Sequence, residues 1–238
     1  MVEQSRVSER KKVNMKLLID DAHIDNIRSL YEYYPIDGVT TNPTILSKCG
    51  KDPYTVLKEI REFIGPDAEL HVQAVSRTAE EMVKEAQRIT SVLGKNTYVK
   101  IPSVKEGFKA MKQLKMKGYH ITATAIYSPV QAFLAAKCGA DYVAPYVNRI
   151  DNLGYDGIET VKEIQDMLVA NDFKTGILAA SFKNTRQVMS LVTYGIAAAT
   201  LSPDVFHGMD NNKTVESAVD VFIQDFESLR GPGKTMLD

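Results

Sequence analysis

Apolar residues along this chain recur in two alternating rhythms. Short runs rich in β-branched residues, bounded by Gly, Pro, Asn or Asp, stand at 16–20, 38–42, 69–75, 97–102, 120–126, 142–147, 175–181 and 197–202, and read as strands. Between them, apolar positions fall at spacings of three and four, the mark of helices with one buried face. The clearest such stretch is 79–93, where Met82, Ala86, Ile89 and Leu93 recur among Glu, Lys and Arg; 105–117, ended by Gly118, and 157–170 follow the same rule. Strict alternation of strand and helix predicts a parallel sheet. Eight units over nearly the whole chain predict closure into a (β/α)8 TIM barrel of the α/β class, rather than an open doubly wound sheet. No GxGxxG follows the first strand to support the open form. A further helix at 214–229 comes after the eighth unit, with two plausible homes, on its own barrel or on a neighbour. The folded unit is expected to span 15–230, with a tail at 231–238. Residues 1–14 are polar and aperiodic and read as a flexible extension.

In a barrel strand, side chains alternate between the interior and the helix layer, and active sites gather at the strands' C-terminal ends. Seven of the eight predicted strands bring a polar group there: Asp20; Thr40, Thr41 and Asn42; Gln73; Lys100; Thr122 and Thr124; Tyr146; and Ser181. Each desolvated polar group costs stability unless paired, so the ring reads as functional. Lys100, in Tyr-Val-Lys-Ile-Pro, has the flanks of a buried strand. A strand lysine usually sits at an edge or snorkels outward, but a barrel has no edge. Desolvation lowers a lysine pKa and frees the amine that a Schiff-base nucleophile requires, with Asp20 available to orient it. A second cluster suits an anion such as phosphate. Arg149 follows strand six, and Ser181 and Lys183 precede a helix starting near Asn184. Arg149 alone would be an ordinary surface ion-pair partner; its companions turn the reading.

Composition narrows the rest. At 238 residues, 44% hydrophobic and 25% charged, the chain suits one globular domain. A formal charge of −1, with no basic cluster beyond Arg10-Lys11-Lys12, argues against nucleic acid or a membrane surface as partner. No apolar run approaches the ~20 residues of a membrane span, and no apolar signal core opens the chain, so a cytoplasmic protein is expected. Cys49 and Cys138 read as two reduced thiols. His23, His71, His120 and His207 lack metal-ligand spacing, so no metal is expected, and His71 reads as a packed or surface residue. Serine-elbow, Cys–His and Walker-type arrangements are absent, and no organic cofactor is implied.

Four segments resemble the transaldolase family, and most of all its small bacterial fructose-6-phosphate aldolase branch. They are Gly-Val-Thr-Thr-Asn-Pro at 38–43, Tyr-Val-Lys-Ile-Pro at 98–102, Ala-Pro-Tyr-Val-Asn-Arg-Ile-Asp at 144–151 and Ala-Ala-Ser-Phe-Lys at 179–183. The match runs in order from about residue 15 to residue 230. The resemblance implies a (β/α)8 barrel with the Schiff base on Lys100, Asp20 and Asn42 near the substrate and the lysine, and Thr124 positioning a water. It implies that Arg149, Ser181 and Lys183 hold the distal phosphate, although transaldolases often have Arg in place of Lys183. It further implies a homo-oligomer, commonly a decamer, with helix 214–229 crossing to a neighbour. Where this chain has Gln73, Ala144 and Tyr146, true transaldolases typically have Glu, Ser and Phe. A tyrosine hydroxyl can itself move a proton. The expectation is therefore a class I aldolase, with no cofactor, acting on a ketose phosphate such as fructose 6-phosphate to give dihydroxyacetone and glyceraldehyde 3-phosphate. In it Tyr146 handles the proton, Gln73 and Thr124 hold water, and Thr40 and Ala144 join the substrate-binding set. The alternatives are a transaldolase, the same chemistry on a sulfonated ketose, and an idle sugar-phosphate binding barrel, against which the presence of Lys100 counts.

Overall fold

The computed structural model describes residues 14–238; the reading of 1–14 as an extension falls, but for Asn14, outside them. Eight parallel strands close on themselves in chain order: β1 Lys16–Asp20, β2 Gly38–Thr40, β3 Glu69–Gln73, β4 Thr97–Pro102, β5 His120–Ile126, β6 Tyr142–Pro145, β7 Gly176–Ala179 and β8 Ala198–Leu201. β8 pairs back onto β1, so the barrel predicted from the alternation is present. The described helices are α1 Ile24–Tyr33, α2 Pro43–Lys48, α3 Pro53–Ile64, α4 Ala79–Leu93, α5 Lys105–Met116, α6 Pro129–Lys137, α7 Val147–Asn152, α8 Gly157–Ala170, α9 Thr185–Tyr194, α10 Pro203–Asp210 and α11 Lys213–Arg230.

Period-two alternation divides the barrel cleanly. Ile19, Val39, Leu70, Val99, Ile101, Ile121, Val143, Ile177 and Leu201 are fully buried and meet the apolar faces of the helices. The opposite parity fills the interior with Leu18, Tyr142, Leu178 and Ala198, together with polar side chains above and below them. His71 belongs to this interior, fully buried and stacked on Tyr98 at 4.6 Å.

Five strands end earlier than the alternation suggests, because the chain needs those residues for caps and turns. β8 stops at Leu201, and Ser202 becomes the N-cap of α10. β2 stops at Thr40, and Asn42 instead accepts from Ile45 N at 3.0 Å to cap α2. Pro43 then occupies the first helical turn, where its missing N–H costs nothing. β6 stops at Pro145, and Tyr146 becomes the N-cap of the short α7, which the periodicity did not reveal. β7 ends at Ala179 ahead of Ser181, whose φ is 60°. β3 ends at Gln73. β5 carries an extra residue against β6, with a register shift between Ala123 and Ile126 and Ala125 at φ 57°. A left-handed alanine costs ~1 kcal/mol, which the surrounding ladder must outweigh.

Gly107 fixes the approach of α5 to β4: a Cβ there would lie 1.9 Å from the Pro102 carbonyl oxygen. At the other end of the chain, α11 buries none of its residues and exposes Val215, Val219, Phe222 and Ile223. Among the described residues no helix is long and apolar enough to cross a membrane.

Candidate active site

β4 carries Lys100 between Gln73 of β3 and Thr122 of β5, its register partners. Val99 and Ile101, both fully buried in the helix-side core, lock the strand and commit Lys100 to the interior. The side chain is 5% exposed, and Nζ donates to the Thr41 carbonyl oxygen at 2.8 Å. Burial pushes its pKa down. Asp20 opposes that shift, and the Arg149 charge adds to it. Asp20, at the end of β1, goes the other way. Burial raises its pKa despite the nearby Lys100 charge and the hydrogen bond from Thr40. Both groups are thus pushed toward their neutral forms.

Asp20 takes its hydrogen bond from Thr40 Oγ1 at 2.7 Å, and Thr40 Oγ1 lies 2.7 Å from Thr200 Oγ1. A buried threonine pair therefore orients the carboxyl group, leaving the amine to the Thr41 carbonyl. On the far wall, the Tyr146 hydroxyl lies 2.7 Å from Thr124 Oγ1. Each of the two can donate to the other, so the pair can accept a proton at one oxygen while holding a water or hydroxyl at the other. Arg149, just after Tyr146 on α7, lays its guanidinium 4.7 Å from the centroid of the Tyr146 ring.

These groups open onto a cavity of about 260 Å³ at the C-terminal end of the barrel. Of the residues expected from sequence, Asp20, Asn42, Gln73, Lys100, Tyr146, Arg149 and Ser181 line it. Thr40 and Thr124 are fully buried behind the wall, each bonded to a lining residue. Ala144 is buried in β6 and does not reach the cavity. Lys183 is exposed on the loop before α9, with its backbone N bound to Gln187 Oε1, and lies outside the cavity lining. The expected convergence of Arg149, Ser181 and Lys183 is therefore met by the first two. The sequence reading missed Thr44, Ala125, Tyr127 and Ala180, which also line the cavity, and Thr200 behind it. A wider, more apolar groove of about 470 Å³ shares Gln73 and Pro43 with this cavity but runs outward over α3 and α4. The buried amine and carboxyl lie in the smaller one.

A buried amine pushed toward its neutral form, a carboxyl group, a phenol and a cation around one small cavity suit carbonyl chemistry by imine formation. Comparison with known proteins agrees. The family model described as Transaldolase/Fructose-6-phosphate aldolase matches residues 17–232. A protein of Streptococcus pneumoniae named "Probable fructose-6-phosphate aldolase" is 38% identical over 213 residues, covering 89% of this chain and 96% of that protein. Among solved structures, a mandelate racemase/muconate lactonizing enzyme-like protein from Rubrobacter xylanophilus superposes with a TM-score of 0.60 at 14% identity. That likeness covers 87% of this chain and 62% of the other, and it speaks for the fold alone.

Proposed function

Because the chain belongs to the transaldolase/fructose-6-phosphate aldolase family, we propose that it is a class I aldolase that cleaves or forms a ketose phosphate such as fructose 6-phosphate. One observation carries this reading: Lys100 is a buried amine held toward its neutral form, at a cavity that also holds Asp20 and Tyr146.

In the proposed cycle, neutral Lys100 Nζ adds to the C2 ketone, and loss of water gives a protonated imine. Tyr146, paired with Thr124, takes the C4 hydroxyl proton as its own proton passes to the water held by Thr124 and Gln73. The C3–C4 bond breaks, its electrons flow into the imine, and glyceraldehyde 3-phosphate leaves. The remaining enamine takes a proton at C3, and water then releases dihydroxyacetone and returns the amine. Asp20, aimed by Thr40, serves the proton transfers of imine formation and orients the donor hydroxyls. Asn42 and Gln73 contact the donor or a water, and Arg149 with Ser181 receives the distal anion. Lys183 and Ala144 have no such geometric support.

Tyr146 and Gln73, in place of the Phe and Glu typical of transaldolases, favour the lyase over transfer of the three-carbon unit to another aldose. A sulfonated ketose would meet the same Arg149 and Ser181. The test is to reduce the protein with borohydride in the presence of dihydroxyacetone and map the adduct by mass spectrometry. The donor should add to Lys100; an unmodified Lys100 under turnover sinks the mechanism.

We further infer a cytoplasmic homo-oligomer. The support is the stripe of Val215, Val219, Phe222 and Ile223 on α11, too large an apolar surface to leave in water. Light scattering on the purified protein should return a multiple of the 26.5 kDa chain; a monomer would remove the inference. The folding unit is then 15–230 with α11 included, and 231–238 is a tail.

A further inference from the structure

Tyr127 lies one residue beyond β5 and lines the cavity, yet the proposed chemistry gives it no task. Its surroundings are specific. Its backbone N donates to Gln131 Oε1 at 2.8 Å, which fixes the turn out of the strand. Its ring meets the Tyr146 ring edge-on, with centroids 5.7 Å apart and planes at 80°. Arg149 lines the same cavity and lies against the same Tyr146 ring, 4.7 Å from its centroid, so Tyr127 and Arg149 flank one phenol. Tyr127 is also the first cause that raises the Arg149 pKa above its ordinary value.

The long, flexible Arg149 side chain is exposed on a short helix, so nothing covalent keeps its charge over the cavity. A guanidinium free to wander loses rotamer entropy each time it binds an anion. From this geometry we propose that Tyr127 is a positioning residue: its hydroxyl parks the Arg149 guanidinium over Tyr146, presetting the anion-binding charge at a fixed spacing from the proton-handling hydroxyl. The consequence is selectivity for aldehydes that carry a terminal anion, expressed in KM rather than in the chemical step.

The inference rests on the aldolase reading, and the experiment separates the two. Wild type and Tyr127→Phe are assayed for condensation of dihydroxyacetone with glyceraldehyde 3-phosphate and with unphosphorylated glyceraldehyde, alongside borohydride trapping and thermal unfolding. Tyr127→Phe keeps the ring against Tyr146 and removes only the hydroxyl. It should raise KM for the phosphorylated aldehyde about tenfold, the scale of one hydrogen bond to a charged group, and leave kcat, trapping and the unphosphorylated reaction unchanged. In an Arg149→Met background the same change should do nothing further. Equal losses with both aldehydes, or full loss persisting without Arg149, mean that Tyr127 only supports packing and overturn the proposal. Unchanged selectivity overturns it too. Absence of trapping in the wild type is the separate result that removes the aldolase reading itself.

Discussion

Two carboxylates face the interior of the same barrel, each near a lysine, and they fare in opposite ways. Glu69, toward the N-terminal end, is 4% exposed and surrounded by donors: Lys16, His71 Nε2 at 3.2 Å and the Tyr142 hydroxyl at 3.3 Å. Those partners overcome burial and hold its pKa down to about 2. His71, pushed by burial toward the neutral form, passes its other nitrogen to Thr122 Oγ1 at 2.9 Å. Asp20, toward the C-terminal end, has one hydroxyl partner, and burial wins. The lower cluster uses its donors to satisfy its charge; the upper one leaves amine and carboxyl under-satisfied. Buried polarity that is fully paired is architecture, and buried polarity left wanting is available for chemistry.

That contrast can be broken in four ways. The largest effect should come from Lys100→Met, which removes the nucleophile. Activity should fall by on the order of 10⁶-fold and borohydride adduct vanish, while the thermal midpoint holds or rises because a desolvated amine is gone. A loss of folding instead would make Lys100 structural. Next, Tyr146→Phe should slow cleavage by about 10³-fold with imine trapping intact; unchanged cleavage kinetics would release Tyr146 from its role.

The third acts on the lower cluster. Glu69→Gln should cost ~2–3 kcal/mol in denaturant unfolding and leave turnover per folded molecule nearly unchanged. The pH dependence has a definite sign. The folded pKa near 2 lies below the ordinary 4.5, so the native state binds fewer protons in that window and stability rises with pH. Glu69's contribution is complete above pH 4.5 and drains away between 4.5 and 2; the Gln variant should lose that limb. The smallest effect is expected from Asp20→Asn. Because burial raises the Asp20 pKa, its ionisation opposes folding as pH climbs above the ordinary 3.8. The Asn variant should be more stable than the wild type at neutral pH, with the difference fading as pH falls toward 3.8, and should form the imine more slowly. A destabilised, fully active variant would erase the distinction between the two ends.

The same contrast marks how far the sequence could be read. Eight strands and the starts of α4, α5 and α8 followed from periodicity, because each places a whole apolar face against the core. Inward parity found Asp20, Gln73, Lys100 and Tyr146, for polar residues on buried strands stand out. Parity cannot say which polar residues are satisfied, since Glu69 and His71 share it with Gln73, and Tyr98 with Lys100. The premise that a structural core has no use for interior polar residues fails at the lower cluster, where they pair with one another. Caps and short helices were equally hidden. Asn42 serves α2 as well as the cavity, and α7 is too brief for a period to show. Lys183 looked like an anion ligand beside Ser181, but the left-handed turn at Ser181 redirects the chain before it.

The extra residue in β5 governs which amino acid reaches the mouth of the barrel. With Ala125 present, Ile126 drops into the helix-side wall and Tyr127 takes the place beside Arg149. Thread the same residues through a regular strand, without that bulge, and the two exchange addresses: an isoleucine would guard the entrance, and a phenol would be forced into a greasy seam. Residue count and bulge must therefore change together in any redesign of this strand: losing both keeps Tyr127 at the mouth, and losing the bulge alone does not.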